Sequence, residues 1–166
     1  MKIVVVGTRG IPDIQGGVET HCEELYPRLA AMGHDVTVVR RSCYITPQNK
    51  IKEYKGVHLK DIYAPRRKSI EAIVHTFLAI IYARWVGADV LHIHAIGPAL
   101  LTPLARLLGL RVVMTHHGPD YDRQKWNKTA KSVLRWGERM GANYANEVIV
   151  ISTVIDNILR EKYDRT

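Results

Sequence analysis

The sequence predicts an α/β protein: an open, parallel sheet with helices on both faces. Short β-branched runs alternate with helical patterns along the whole chain, which is the order of βα units. The runs are continuously apolar rather than alternating, as strands covered on both faces are. Three of the helical patterns stop at a glycine placed as a C-cap: Gly33, Gly87 and Gly109. With 166 residues, 46% of them hydrophobic and 24% charged, the chain is long enough to bury one sizeable core.

The elements follow in order. Residues 3–6 form the first strand, and residues 18–32 the first helix, with Cys22, Leu25, Leu29 and Met32 on one stripe at helical spacing. Residues 36–39 give the second strand. Residues 50–60 are polar and carry a short edge strand around Val57 and Leu59. Ser69 is placed to cap a second helix whose Ile70, Ile73, Val74, Phe77, Ile81 and Trp85 form an apolar stripe. Strands at 90–93, 112–115 and 148–151 alternate with helices at 100–108 and 129–145, and Ser152 caps a fifth helix. No repeat, low-complexity segment or linker interrupts this, so the expectation is one domain.

The 24 Lys and Arg against 16 Asp and Glu leave a net charge of +8, which suits phosphates, nucleic acid or an anionic membrane. Arg40-Arg41, residues 50–60 and Arg66-Arg67-Lys68 are the basic clusters. They lack aromatic interleaving and zinc-finger spacing, so they read as a solvated basic face and nucleic acid is not an expected partner. Cys22 and Cys43 show no CxxC spacing and are expected to be reduced and structural. The start of the chain carries no export signal, and the apolar run 70–86 is broken by Glu71, His75 and Arg84, short of the roughly 20 residues of a span. A cytoplasmic protein is expected.

"VVVGTRGIPDIQGGVETH" joins the first strand to the first helix. It fails the dinucleotide fingerprint, because Arg9 and Pro12 stand where the later glycines belong, and it fails the P-loop, because no Lys-Ser or Lys-Thr follows a glycine. What remains is Gly16-Gly17 at a helix start, where unpaired amides and the positive dipole end attract phosphate and no Cβ blocks approach. An ordinary flexible turn is the other reading. Its place at the carboxyl end of a parallel strand favours a ligand.

Four histidines stand at strand ends on that edge. His92 and His94, two apart, share a strand face; His92 lies within the strand and reads as a buried, hydrogen-bonded residue. No nearby Cys or Glu completes a tetrahedral set with the pair, so no metal is expected. His94, His116 and His117 follow strand ends and are expected to face one crevice, with Asp120, Tyr121 and Arg123 supplying a carboxylate, an aromatic face and a guanidinium fork.

The strings "GTRGIPDIQGGVETHCEELYPRLAAMGHDVTVV", "DVLHIHAIGPAL", "RVVMTHHGPDYDRQKW" and "GERMGANYANEVIVIS" together resemble the N-terminal half of glycosyltransferase family 4, in its rhamnosyltransferase-like branch. The resemblance implies a GT-B architecture, two Rossmann-like domains with the active site between them, and transfer with retention and without metal or other cofactor. It implies that Gly16 and Gly17 meet the donor diphosphate and that His117, before Gly118, contacts the transferred sugar as the catalytic histidine, with His116 one place away as the alternative. It makes Arg9, His94, His116, Asp120, Tyr121 and Arg123 acceptor-side candidates. The expected partners are a nucleotide-sugar donor and a glycan or lipid-linked acceptor; Arg66, Arg67 and Lys68 have two readings, a peripheral contact with the inner membrane face or the solvated start of a capped core helix. The family's donor-binding half does not follow "YDRT", so the chain is expected to be a fragment that is inactive alone. The alternative is a stand-alone α/β module that binds a phosphorylated ligand without catalysis. An NAD-dependent oxidoreductase is disfavoured, since the second strand ends Val39-Arg40-Arg41 with no acidic residue.

Overall fold

The structure, a computed structural model, describes residues 1–68 and 70–165. It runs β1 (Lys2–Val6), α1 (Gly17–Ala31), β2 (Asp35–Arg41), β3 (Glu53–Tyr54), β4 (Val57–Ile62), α2 (Glu71–Trp85), β5 (Val90–His94), α3 (Thr102–Leu107), β6 (Val112–His116), α4 (Lys128–Tyr144), β7 (Glu147–Val150) and α5 (Thr153–Tyr163). Seven strands form one sheet in the order β3-β4-β2-β1-β5-β6-β7. All neighbours are parallel except the β3–β4 pair. The expected α/β fold is therefore present: a Rossmann-like, mostly parallel sheet. The segment expected at the sheet edge, β4, lies one strand in; the antiparallel β3 covers it.

Strand alternation assigns the two faces. Ile3 and Val5 pack with Cys22 and Tyr26 of α1, while Val4 and Val6 pack with Ala79, Ile80 and Ala83 of α2 and Ala105 of α3. Chain order builds from β1 to β2 and β4, then returns to place β5 against the other side of β1. This is a topological switch point, and in such sheets the crevice outside the carboxyl ends of the two central strands is the ligand position. Gly7 makes the closure possible: at φ +97° it lies so near β5 that a Cβ would meet the His94 carbonyl oxygen at 2.2 Å.

Helix ends follow the sequence where caps are local. Gly33, Gly87 and Gly109 all have positive φ, and Ser152 accepts from the Ile155 amide; Ser69 lies outside the described residues. Helix faces depart from expectation. Met32 is exposed, and α1 buries Glu19, Cys22 and Tyr26. In α2 the expected core stripe points outward: Ile70, Phe77, Ile81 and Trp85 are exposed, Trp85 by 82%. The sheet takes His75, Thr76, Ala79, Ile80 and Ala83 instead, because small side chains let the helix axis approach the strands.

The arginine pair also moves inward. Arg40 is wholly buried, its guanidinium clamped on both carboxylate oxygens of Asp61 at 2.6 and 3.1 Å and donating to the Ile11, Asn49 and Ile51 carbonyls. Arg41 meets Glu71 at 2.8 Å and the Gly7 carbonyl at 3.2 Å. Carboxylate and carbonyl partners let the two guanidinium groups leave water, although the buried Arg41 Nε has no hydrogen-bond partner among the described residues, so this pair is not part of a solvated basic face. Among the described residues no helix is long and apolar enough to cross a membrane.

Candidate functional site

The site is built where β1, β5 and β6 end. After β1 the chain loops to Gly16, with φ +151°, and α1 begins at Gly17 without a side-chain cap. The first-turn amides of α1 are thus left for a ligand. Glu19 occupies the inner side of this loop: its carboxylate accepts the Arg9 amide at 2.9 Å and the Thr8 hydroxyl at 3.3 Å. Arg9 itself is exposed, with its guanidinium 5.3 Å from the Tyr44 ring centroid.

One turn beyond Gly17, His21 projects from α1 against the ends of β5 and β6. Its ring centroid lies 5.1 Å from His117 and 5.7 Å from His94. The glycine turn that opens α1 is therefore one helical turn from the side chain that meets His117. His21 was not singled out from the sequence, although a residue four places after Gly17 falls on the same helix face.

The four strand-end histidines divide into roles. His92 and His94 stack at 4.3 Å between centroids, as their alternation requires. His94 is fully buried rather than facing the crevice; Nε2 contacts the Tyr26 hydroxyl and Nδ1 lies 2.8 Å from His117 Nε2. His92 is buried as expected, between Tyr26 at 2.7 Å and Thr115 at 2.7 Å. Burial, then the neighbouring histidines, pushes the His92 imidazole down to about 4 and His94 well below its ordinary range.

His116 also departs from the expected crevice position. It is wholly buried, with Nε2 on Glu138 at 2.9 Å and Nδ1 accepting the Gly118 amide at 3.0 Å. It braces the turn that carries His117, which is half-buried and lowered to about 4 by burial first and then by His21 and His116. Glu138 is the hub beneath. Tyr121, buried and unable to offer its ring to a sugar, points its hydroxyl at Glu138 at 3.1 Å; Tyr163 and Lys162 of α5 reach the same carboxylate. Burial by itself raises the Glu138 carboxyl, but these hydrogen bonds hold it below its ordinary value. Asp120 and Arg123 pair with each other at 3.1 Å on the outside of the turn, Arg123 largely exposed.

His21, His94 and His117 bring ring nitrogens within 4.8 Å of one another, the one cluster of metal-ligand type among the described residues. Within it, His94 Nδ1 and His117 Nε2 share a hydrogen bond at 2.8 Å.

Residues 15–166 match the family description Glycosyltransferase Family 4. No curated protein matches the sequence. Among solved structures, sucrose-phosphate synthase from Thermosynechococcus elongatus superposes over 97% of this chain with a TM-score of 0.73 at 20% identity. The chain spans 45% of that protein's length. A second structure of the same enzyme covers the whole of this chain and 84% of its own, with a TM-score of 0.67 at 19% identity. At such identity the likeness is one of fold.

Proposed function

Because the chain belongs to glycosyltransferase family 4, we propose that it is the acceptor-side, N-terminal half of a retaining GT-B enzyme. That enzyme moves a hexosyl or rhamnosyl-type sugar from a nucleotide-sugar donor to a hydroxyl of a glycan or lipid-linked acceptor. Residues 1–166 act as one Rossmann-like domain, and the donor nucleotide sits on a second domain across the cleft. The supporting observation is the contact of His21 with His117 at 5.1 Å, which sets the open amides of α1 beside the His117 imidazole. In this reading the amides of Gly17 and its successors take the diphosphate, offsetting its growing charge as the glycosidic bond breaks. His117 lies where the transferred sugar would be. Arg9, Asp120 and Arg123, at the outer margin, are left as acceptor contacts.

In the intact enzyme, His117→Ala should lower kcat by about 10²-fold or more, the scale of losing one preorganised donor at a reacting centre, while donor affinity changes only a few-fold. Steady-state kinetics with the donor saturating checks this; an unchanged kcat would remove His117 from the chemistry.

The outward stripe of α2 adds a partner to the proposal. Phe77, Ile81 and Trp85 of α2 are exposed, as are Arg66, Arg67 and Lys68 in the segment before it, a combination of apolar and basic groups suited to an anionic bilayer surface. Liposomes containing anionic lipid should retain the chain at low salt and release it at high salt. A Phe77→Ser/Trp85→Ser double variant should lose most of that retention in a flotation assay, whereas equal flotation of the variant would place contact elsewhere.

A further inference from the structure

The buried groups behind His117 form one continuous chain: Thr115 Oγ1 to His92 Nε2 at 2.7 Å, His92 Nδ1 to Tyr26 Oη at 2.7 Å, Tyr26 Oη to His94 Nε2, and His94 Nδ1 to His117 Nε2 at 2.8 Å. Strand alternation explains why it exists. His92, His94 and Thr115 all point to the α1 face, since His94 pairs with Thr115 in register and Leu91, Ile93 and Met114 point to the other face. Tyr26 comes down from α1 between the two imidazoles.

Each neutral imidazole carries one proton and offers one lone pair, and each hydroxyl has one hydrogen to give. Such a chain has two arrangements in which every donor runs one way, and a third, in which His92 and His94 both donate to Tyr26 and His117 donates to His94, that leaves the buried Tyr26 hydroxyl hydrogen without an acceptor. In the first, the Thr115 hydroxyl donates to His92, His92 to Tyr26, Tyr26 to His94, and His94 to His117. In the second, every donor is reversed and the chain ends with His92 donating to Thr115. The second direction leaves the Thr115 hydroxyl hydrogen without an acceptor, because Thr115 is wholly buried and its Oγ1 has no other partner among the described residues. An unmet buried donor biases the choice by about tenfold or more.

We infer that Thr115, His92, Tyr26 and His94 are a directional relay that fixes the His117 proton on Nδ1, so that His117 meets its ligand as a hydrogen-bond donor and not as a base. The nitrogen His117 has free, Nδ1, makes no hydrogen bond among the described residues and is the one left for a ligand. With its own proton directed to His117, His94 Nδ1 keeps no lone pair for any other partner. His117 is suited to give a hydrogen bond to an oxygen of a sugar hydroxyl or a phosphate; this identity of the ligand rests on the proposed transferase reading, whereas the proton's position does not. Thr115, His92, Tyr26 and His94 are positioning residues.

The ring-nitrogen NMR shifts of ¹⁵N-histidine-labelled chain at neutral pH read the tautomer directly and need no donor or acceptor. The expected result is a pyrrole-type Nδ1 and a pyridine-type Nε2 at His117, with the Nδ1–H form in about tenfold excess. Thr115→Val keeps the shape but removes the first donor, and should bring the two tautomers toward parity; Thr115→Ser should restore the excess. Tyr26→Phe, which cuts the relay at its centre, should act like Thr115→Val. A pyridine-type Nδ1 in the unaltered chain overturns the inference, as does a His117 tautomer indifferent to Thr115→Val in a variant whose amide spectrum stays native. Failure of the His117→Ala kinetics with these shifts as expected would sink the transferase assignment and leave the relay standing.

Discussion

Acidifying the protein from pH 7 should destabilise it steeply, beginning near pH 6.5. His75, His92 and His94 are buried and held neutral, and half-buried His117 is lowered with them: burial takes His75, His92 and His117 from 6.5 down to about 4, and His94 well below 6.5. A histidine whose folded value is depressed contributes stability that is complete above the unfolded value and is lost as pH falls toward the folded one, because only the unfolded chain takes up the proton. Each such group costs about 1.4 kcal/mol per pH unit in that window, so four cost about 5.5 kcal/mol per unit at most. A domain with about 5–15 kcal/mol to lose should therefore unfold near pH 4 to 5. Glu138, whose carboxyl is lowered from 4.5, has the same sign but acts only below its unfolded value. The loss between pH 6.5 and 5 thus belongs to the histidines. Urea unfolding at a series of pH values measures it, and His75→Gln, which leaves the relay intact, should remove about a quarter of the slope. Flat stability from pH 7 to 5 would contradict the burial of neutral imidazoles.

Gly7→Ala is expected to be among the most damaging single methyls added to this chain. Its Cβ would lie 2.2 Å from the His94 carbonyl oxygen and 2.9 Å from the His94 nitrogen, both backbone atoms of a central strand that cannot step aside without breaking the β1–β5 ladder. The φ of +97° adds strain for any residue with a side chain. Together these should cost about 3–5 kcal/mol, the range of severe overpacking and backbone strain. Gly87→Ala is the control, since Gly87 shares a positive φ but has open space where a Cβ would go; it should cost about 1 kcal/mol. Equal midpoints for the two variants in chemical denaturation would show that β1 and β5 are not in close contact at this point.

Much of the fold was legible because its signals are local. A continuous apolar run marks a parallel strand wherever its neighbours lie, and a glycine after a helical pattern supplies the left-handed turn without reference to the rest of the chain; Gly33, Gly87 and Gly109 all do so. The α2 face was misread for a reason in its composition. That helix is apolar nearly all round, so Ile70, Phe77, Ile81 and Trp85 make as regular a stripe as the buried one, and only the strands beneath select Ala79 and Ala83 for close approach. Arg40 and Arg41 looked like surface charge because Asp61 and Glu71, which neutralise them, come from β4 and α2, far along the chain.

For the site, the amino-acid sequence by itself determined which chemical groups would gather at one rim: parallel strands put Gly16-Gly17 and the strand-end histidines at their carboxyl ends whatever the packing. Tertiary structure alone decided how they divide. Burial took His94, His116 and Tyr121 into the interior and left His117 only half-buried, with His21 and Tyr26 brought in from α1 and Thr115 from within β6. The physical reason is one of range. Strand polarity and capping are settled within a few residues, whereas which imidazole faces water, and on which nitrogen it holds its proton, depends on hydrogen-bond partners that only folding brings within 3 Å.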